Sequence, residues 1–194
     1  MTIWDDFFDQ KIKEIAKEKN ILDVGGGKKF GKALAQYQEL FKNCNYQTLD
    51  AVADYQPDIL GDITAIPLPD SQTDAVICKA VLEHVKEPFR AAVEIHRILK
   101  PGGKCLGYVP FLYPRHAEEG KYGDYWRFTE QGIKEMFKDF SEIELCAVRG
   151  SLETLVYLLP NYFLRKILSP LARLVDNIFK TKNQPSGYYF FVVK

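Results

Sequence analysis

The stretch "ILDVGGGKKFGKAL", residues 21–34, decides the fold, and more than one ligand-binding loop can be read in it. From Gly26 it runs as a phosphate-binding loop, G-x-x-x-x-G-K, with Gly31 and Lys32 in place. Such a loop also needs a Ser or Thr after the Lys, whose hydroxyl ligates Mg²⁺, and Ala33 stands there. From Gly25 it begins a dinucleotide fingerprint, G-x-G-x-x-G. The last position is then Phe30, a bulky ring where a helix must pack closely on a strand, and Asp23 would face a pyrophosphate. From Asp23 it reads as a short apolar strand closed by an acid and followed by a glycine turn at Gly25, Gly26 and Gly27. That arrangement suits a ligand without phosphates.

Outward from this loop, short apolar runs alternate with helix-length segments, the pattern of a parallel sheet wrapped by helices. Strands are predicted at Ile21–Val24, Tyr46–Asp50, Asp58–Asp62, Asp74–Cys78, Lys104–Val109, Ile143–Val148 and Tyr188–Val193. Helices are predicted at residues 5–18, 30–41, 88–99, 129–138 and, in one or two pieces, 152–180. The helix at 88–99 places Phe89, Ala92, Val93, Ile95, Ile98 and Leu99 at helical spacing and stops at Lys100-Pro101-Gly102-Gly103. The last strand follows a helical segment and the turn Asn183-Gln184-Pro185-Ser186-Gly187, so it is expected to enter antiparallel, as a hairpin partner of the sixth. The expected fold is α/β: a Rossmann-like, seven-stranded, mostly parallel sheet with an antiparallel last strand and helices on both faces.

The 194 residues are enough for one sizeable domain and short for two. Within a single domain over 1–194, residues 1–19 form an N-terminal helix or lid, 110–128 an acceptor loop and 151–182 a helical insertion before the last strand. Lys plus Arg and Asp plus Glu both number 26, so no overall basic field gathers nucleic acid. Cys44, Cys78, Cys105 and Cys146 form no C-x-x-C pair, and three of them fall in apolar runs, which argues against zinc and against a disulfide scaffold. The N-terminus shows no signal pattern, and Glu153 and Pro160 interrupt the longest apolar run, so no spanning helix is expected. A reducing cytoplasm is the expected location.

In a sheet of this kind ligands bind at the carboxyl ends of the strands, where strand order reverses. Asp23 ends the first strand, Asp50 the second and Asp62 the third, while Lys79-Ala80 follows the fourth. Any one of these acids alone reads equally as a turn former or helix cap. Together they suit an aminoacyl nucleoside bearing a sulfonium: Asp50 accepting from the ribose hydroxyls, Asp62 from an exocyclic amine, and an acid near the loop facing an ammonium. The segments ILDVGGG, Leu49-Asp50, GDITAIPLPDSQTDAVICKAVLEHVKEP and ILKPGG, in that order over about residues 20–110, closely resemble class I S-adenosylmethionine-dependent methyltransferases of the small, single-domain, type-11-like group. The resemblance implies S-adenosyl-L-methionine as cofactor. It places Asp23, Gly25 and Gly27 around the methionine part, Asp50 at the ribose, Asp62 and Ile63 at the adenine, and Lys79 and Ala80 on the wall. One position departs from the pattern, since the third glycine, expected at 29, is Lys29. Glu83 and His84 resemble a family motif of positional role, and His96 reads as a surface residue.

Residues 110–132, PFLYPRHAEEGKYGDYWRFTEQG, are too long and too aromatic for a plain connector, and long loops at this edge usually carry function. Tyr113, Arg115, Tyr125 and Arg127 are the candidate acceptor-binding residues. His116 is the candidate general base, with Tyr113 or Asp124 orienting it. In the structural alternative, Trp126 and Phe128 staple the loop to the core and Arg127 pairs with an acid. DYWRFT resembles an element of small methyltransferases, many associated with glycan or natural-product pathways. The resulting reading is methyl transfer to a small-molecule or glycan-like acceptor, with oxygen favoured over nitrogen. Its rivals are a P-loop-like nucleotide hydrolase and an inactive methyltransferase-fold binding protein. No set of acids and amides with ligand spacing stands beside His116, so no metal is expected.

Two segments stay open. Trp4, Phe7 and Phe8 form either a lid or ordinary helix-to-core contacts. Leu164, Ile167, Leu168, Leu171, Leu174, Val175, Ile178 and Phe179 repeat at helical spacing in a stretch, 151–182, of net charge +3. Packing on its own sheet competes there with a cap over an apolar acceptor, a homodimer face and a peripheral membrane contact through 152–180.

Overall fold

The computed structural model describes residues 2–31, 34–179 and 183–194. Its frame is a seven-stranded sheet: β1 (Asn20–Val24), β2 (Asn45–Asp50), β3 (Ile59–Leu60), β4 (Thr73–Lys79), β5 (Leu99–Pro110), β6 (Glu142–Val148) and β7 (Gly187–Val193), in the order β3-β2-β1-β4-β5-β7-β6. The β1–β2, β1–β4, β2–β3 and β4–β5 pairs are parallel. The last strand is antiparallel, as expected, but it is more than a hairpin partner of β6: it inserts between β5 and β6 and pairs with both. Strand order reverses between β1 and β4, which opens a crevice at their carboxyl ends.

Alternation along the central strands sends side chains into two core layers. Leu22, Val24, Val76 and Phe190 pack under α2 (Pro88–Ile98) and α3 (Glu130–Met136) through Ala91, Ile95, Ile133 and Phe137. Ile21, Ile77 and Leu106 face α1 (Ile3–Ile15), which contributes Phe8, Ile12 and Ile15. Helices therefore cover both faces. Thr2 and Asp5 cap α1 reciprocally, each side chain accepting from the other's backbone amide. Phe8 is thus a core contact, and the outer side of α1 meets α5 (Tyr162–Phe179), where Arg173 lies over the Trp4 ring.

Three local expectations are corrected. The helix at 30–41 is a 3-10 helix over Ala35–Phe41, because Phe30 takes a left-handed conformation (φ 51°) and stacks on Tyr46 at 4.5 Å, which breaks helical continuity after the glycine turn. The third strand shrinks to two residues, because the Asp58 carboxylate accepts from Thr48 instead of continuing the ladder. In α2, Phe89 and Val93 are 54% and 59% exposed, since Ala91, Ala92, Ile95 and Ile98 define the buried stripe. The 152–180 segment takes the two-piece form of its expectation, α4 (Ser151–Tyr157) and α5, with Pro160 between them and Asn161 Oδ1 accepting the amides of Phe163 and Leu164. Among the described residues no helix is long and apolar enough to cross a membrane.

Candidate cofactor and acceptor site

The crevice at the β1/β4 reversal is a cavity of about 560 Å³. One wall is the glycine turn Gly25–Gly27 and another the end of β2 at Leu49, Asp50 and Val52. Gly61 to Thr64 close one end, and Ala80, Val81 and His84, after β4, form the far side. Gly25 and Gly27 both have positive φ (64° and 66°), a conformation that favours glycine and turns the loop back across the strand ends.

Asp50 is buried on the cavity wall with its carboxylate fixed by backbone amides. Oδ2 accepts from Gly27 N at 3.2 Å and Oδ1 from Val52 N at 2.9 Å. Each oxygen keeps a lone pair for a ligand hydroxyl. Asp62 is both cap and wall: its Oδ1 accepts from the Thr64 amide and hydroxyl while the residue lines the cavity beside Ile63. At Gly27 an added Cβ would meet nothing closer than the Tyr55 ring at 4.0 Å, so the loop leaves open space towards the cavity. A nucleoside with an amino-acid tail fits a site of this size and donor set.

Asp23 and Lys79 stand elsewhere. Asp23 lies behind the turn, where a Cβ on Gly26 would come within 2.5 Å of its Oδ2, and Tyr46 donates its hydroxyl to that oxygen at 2.5 Å. Burial, opposed by the Tyr46 bond and reinforced by the charge of Asp50, raises its pKa from 3.8 to about 6. Asp23 therefore shapes the loop from behind and does not line the cavity. Strand alternation turns Lys79 to the α1 face, over the Phe8 ring at 5.3 Å, where it lines a second cavity with Asp9, Tyr37 and Tyr189. The expected place of Lys79 on the cofactor wall is corrected; Ala80, next in sequence, is on it. Lys29 reaches away from the cavity and donates to Tyr46 O and Asp58, so its side chain does not obstruct the loop.

The acceptor loop folds across the cavity mouth. Tyr55, beyond β2, and Tyr122, in the loop, both donate to Glu118 Oε2, at 3.3 and 3.2 Å, and Lys121, Tyr122, Gly123 and Tyr125 complete the lining. Of the four predicted acceptor residues only Tyr125 lines this cavity. The Arg127 guanidinium is saturated by Asp124 and by the carbonyls of Tyr113, Pro114 and Trp126, which makes it the loop's anchor and corrects its assignment to substrate. Arg127 in turn holds the Asp124 carboxyl well below the usual range. Tyr113 sits between the His116 ring, which it meets edge-on, and the tilted Tyr157 ring, and Arg115 is exposed and lines neither cavity. Phe128 is buried in the core, and the Trp126 indole donates to Val85 O.

His116 also lies outside the cavity lining, one ring away from it: its ring is 4.8 Å from that of His84. Asp124 accepts the His116 backbone amide at 2.8 Å, and Pro114 O receives Nδ1 at 3.0 Å. Nε2 stands 3.5 Å from Glu83 Oε1, an ion-pair distance outside hydrogen-bond geometry. The Glu83 carboxylate, then the carbonyl of Pro114 and the charge of Asp124, raise the His116 pKa above its ordinary value against the effect of burial. Sequence reasoning gave Glu83 and His84 only a positional role; the structure puts them beside His116.

Residues 22–107 match the family model described as a methyltransferase domain. Over 56 residues the chain is 46% identical to the demethylmenaquinone methyltransferase of Renibacterium salmoninarum, which covers 29% of this chain and 23% of that protein. The chain thus spans less than a quarter of that curated relative. The structure of a SAM dependent methyltransferase from Archaeoglobus fulgidus matches with a TM-score of 0.66 at 14% identity, over 97% of this chain and 92% of that one. The phosphoethanolamine N-methyltransferase 2 of Haemonchus contortus, solved with S-adenosyl-L-methionine, matches with a TM-score of 0.56 at 17% identity, over 94% and 51%. The fold is that of the class I S-adenosylmethionine-dependent methyltransferases. The matched residues include β2, β3 and β4, whose ends build the cavity. The P-loop reading gains no support: Lys32 and Ala33 lie outside the described residues, and the Asp23 carboxylate behind Gly26 is ill placed for a triphosphate.

Proposed function

We propose that this protein transfers a methyl group from S-adenosylmethionine to an oxygen of a small-molecule or glycan-like acceptor. The observation that carries the reading is Asp50, a buried carboxylate held by two backbone amides with its remaining lone pairs on the wall of a nucleoside-sized cavity. When bound, the cofactor supplies an electrophilic methyl on a sulfonium. In this reading Asp50 accepts from the ribose hydroxyls, Asp62 and Ile63 hold the adenine, Gly25 and Gly27 give room to the methionine part, and Ala80 closes the wall.

Much of the catalysis is orientation in a site that the acceptor loop screens from water. Tyr125 lines the acceptor side. A hydroxyl acceptor must also lose a proton, and Nε2 of His116 is the group proposed to take it, with Nδ1 held on Pro114 O and the imidazolium stabilised by Glu83 and Asp124. The acceptor oxygen forms the new bond to carbon as the carbon–sulfur bond breaks and sulfur keeps the electron pair.

Calorimetric titration with S-adenosylhomocysteine tests the cofactor site. Asp50→Ala is expected to cost about 1–3 kcal/mol of affinity through lost charge-assisted hydrogen bonds. His116→Ala is expected to keep that affinity and to lower turnover about 10²–10⁴-fold. An unchanged affinity in Asp50→Ala removes the ribose assignment.

The outer face of α5 supports a peripheral contact with an anionic lipid surface. Phe163, Leu164, Ile167, Leu171, Leu174 and Ile178 are between 44% and 67% exposed along one stripe. The acids nearby turn inward: Glu153 pairs with Arg173, and Asp176 accepts the amides of Leu152 and Glu153, while among the described residues Arg165, whose Nε donates to Leu159 O, and Lys166 add positive charge beside the stripe. The same hairpin reaches the acceptor side, where the Tyr157 hydroxyl donates to that of Tyr113 at 3.1 Å.

A further inference from the structure

We propose that Glu83, His84 and His116 form a divalent-cation site between the turn after β4 and the acceptor loop. Glu83 is 0% exposed, and among the described residues neither carboxylate oxygen has a hydrogen-bond partner. Buried carboxylates are normally satisfied by donors, so one held dry and open points to a ligand that brings positive charge. Both histidine rings are oriented as ligands. Nδ1 of His84 faces Gly123 O at 2.6 Å and Nδ1 of His116 faces Pro114 O at 3.0 Å. A carbonyl only accepts, so each Nδ1 carries a proton, and in the neutral ring each Nε2 then presents its lone pair. Backbone carbonyls bound to the far nitrogen are how metal-ligating imidazoles are usually held.

The lone pairs converge on the carboxylate. Glu83 Oε1 is 3.5 Å from Nε2 of His116 and 4.0 Å from Nε2 of His84, and the three ligand atoms all lie within 4.8 Å of one another. A tetrahedral cation with bonds of about 2.0–2.1 Å needs ligand separations of about 3.3–3.4 Å, a contraction of about 0.1–0.2 Å at the closest pair, about 0.6–0.7 Å at the next and at most about 1.5 Å at any pair, which side-chain rotation must supply. Two imidazoles and one carboxylate suit Zn²⁺, Fe²⁺, Co²⁺ or Mn²⁺ rather than Mg²⁺ or Ca²⁺, and they leave coordination positions open. His84 lines the cofactor cavity, so an open position can face the acceptor. The site is also rigid, since the amides of Tyr125 and Trp126 both donate to Glu83 O.

This inference deepens the methyl-transfer reading and rests on it for its chemistry. With the cation bound, His116 is a ligand and not the base. The acceptor hydroxyl, coordinated at the open position, ionises more readily and releases its proton to solvent, while its oxygen forms the bond to carbon. The spacing of 32 residues between His84 and His116 hides this set from a search for local ligand motifs.

The test uses the full chain, stripped with chelator and titrated with Co²⁺, followed by visible absorption, and with Zn²⁺ by calorimetry. One equivalent is expected to saturate, and His84→Ala and Glu83→Gln are each expected to weaken affinity at least tenfold, the lower end of what even supporting residues contribute. The proposal is overturned if the wild-type chain takes up no stoichiometric cation, or if both variants bind it as the wild type does. S-adenosylhomocysteine titration of the same samples reports whether each variant is folded. It also separates the two claims: a chain that binds Co²⁺ but not the nucleoside keeps the cation site and loses the methyltransferase reading, and the reverse result does the opposite.

Discussion

Asp23 is a carboxyl whose ionisation the fold resists. Its carboxyl is buried, it accepts the Tyr46 hydroxyl, and its pKa rises from 3.8 to about 6. A raised carboxyl pKa means that the folded chain binds the proton more tightly than the unfolded chain, so stability falls as pH rises through the window from about 4 to 6. Asp23→Asn, which keeps an acceptor for Tyr46, is expected to raise stability at neutral pH by about 1–3 kcal/mol and to flatten the dependence in that window. Thermal or urea melts at pH 4, 5, 6 and 7 measure it, and parallel curves for the two proteins would show that Asp23 is not the titrating group. At this scale legibility depended on what a side chain needs. Asp50 was readable because a strand end places a short acid at the crevice whatever its neighbours do, and Asp62, two residues past β3, lines the same crevice as the cap of the turn that follows. Lys79 was misplaced because the parity of its strand, fixed by Cys78 entering one core layer, turns it to the opposite face.

Among the elements, α5 is where pattern and packing diverge. The spacing of its apolar residues was plain in the sequence, yet its buried positions are Ala172 and Asp176 while the apolar stripe faces out. Periodicity identifies a helix face but not what covers it. If that stripe rests on lipid, the chain should co-sediment with vesicles containing anionic lipid, less with zwitterionic ones, and less at high salt, because basic residues near such a surface add about 1 kcal/mol each. Leu171→Glu with Leu174→Glu should abolish the association without altering S-adenosylhomocysteine affinity. A wild-type chain that stays in the supernatant and sediments as a dimer in solution would assign the stripe to a second copy instead. The segment after the glycine turn diverges for another reason. Its helical pattern was real, but the Phe30 ring finds Tyr46 and Phe41, and that aromatic packing overrides helix continuity.

For the whole molecule, the alternation of apolar runs and helices fixed the sheet and its antiparallel last strand, because short buried strands in this pattern have few topologies open to them. What the alternation did not contain was the closure of the cavity. Tyr55 follows β2 and Tyr122 lies 67 residues later, and only the fold brings both hydroxyls to Glu118. That closure joins the β2 side of the crevice to the acceptor loop, so a ligand seated beneath it should stabilise the chain as one unit. At a free concentration one hundred times its dissociation constant, S-adenosylhomocysteine adds about 2.7 kcal/mol. In a domain of this size each kcal/mol moves Tm by about 2–4 °C, so a rise of roughly 5–11 °C is expected. Tyr122→Phe removes one of the two hydroxyls that bridge to Glu118, while Asp50→Ala strikes the ligand directly. The shift should therefore shrink modestly in the first variant and, for a loss of about 1–3 kcal/mol of affinity, fall to between about two-thirds and one-tenth of its size in the second at the same ligand concentration. Differential scanning calorimetry reads both, and a full shift in Asp50→Ala would mean that the nucleoside binds elsewhere on the sheet.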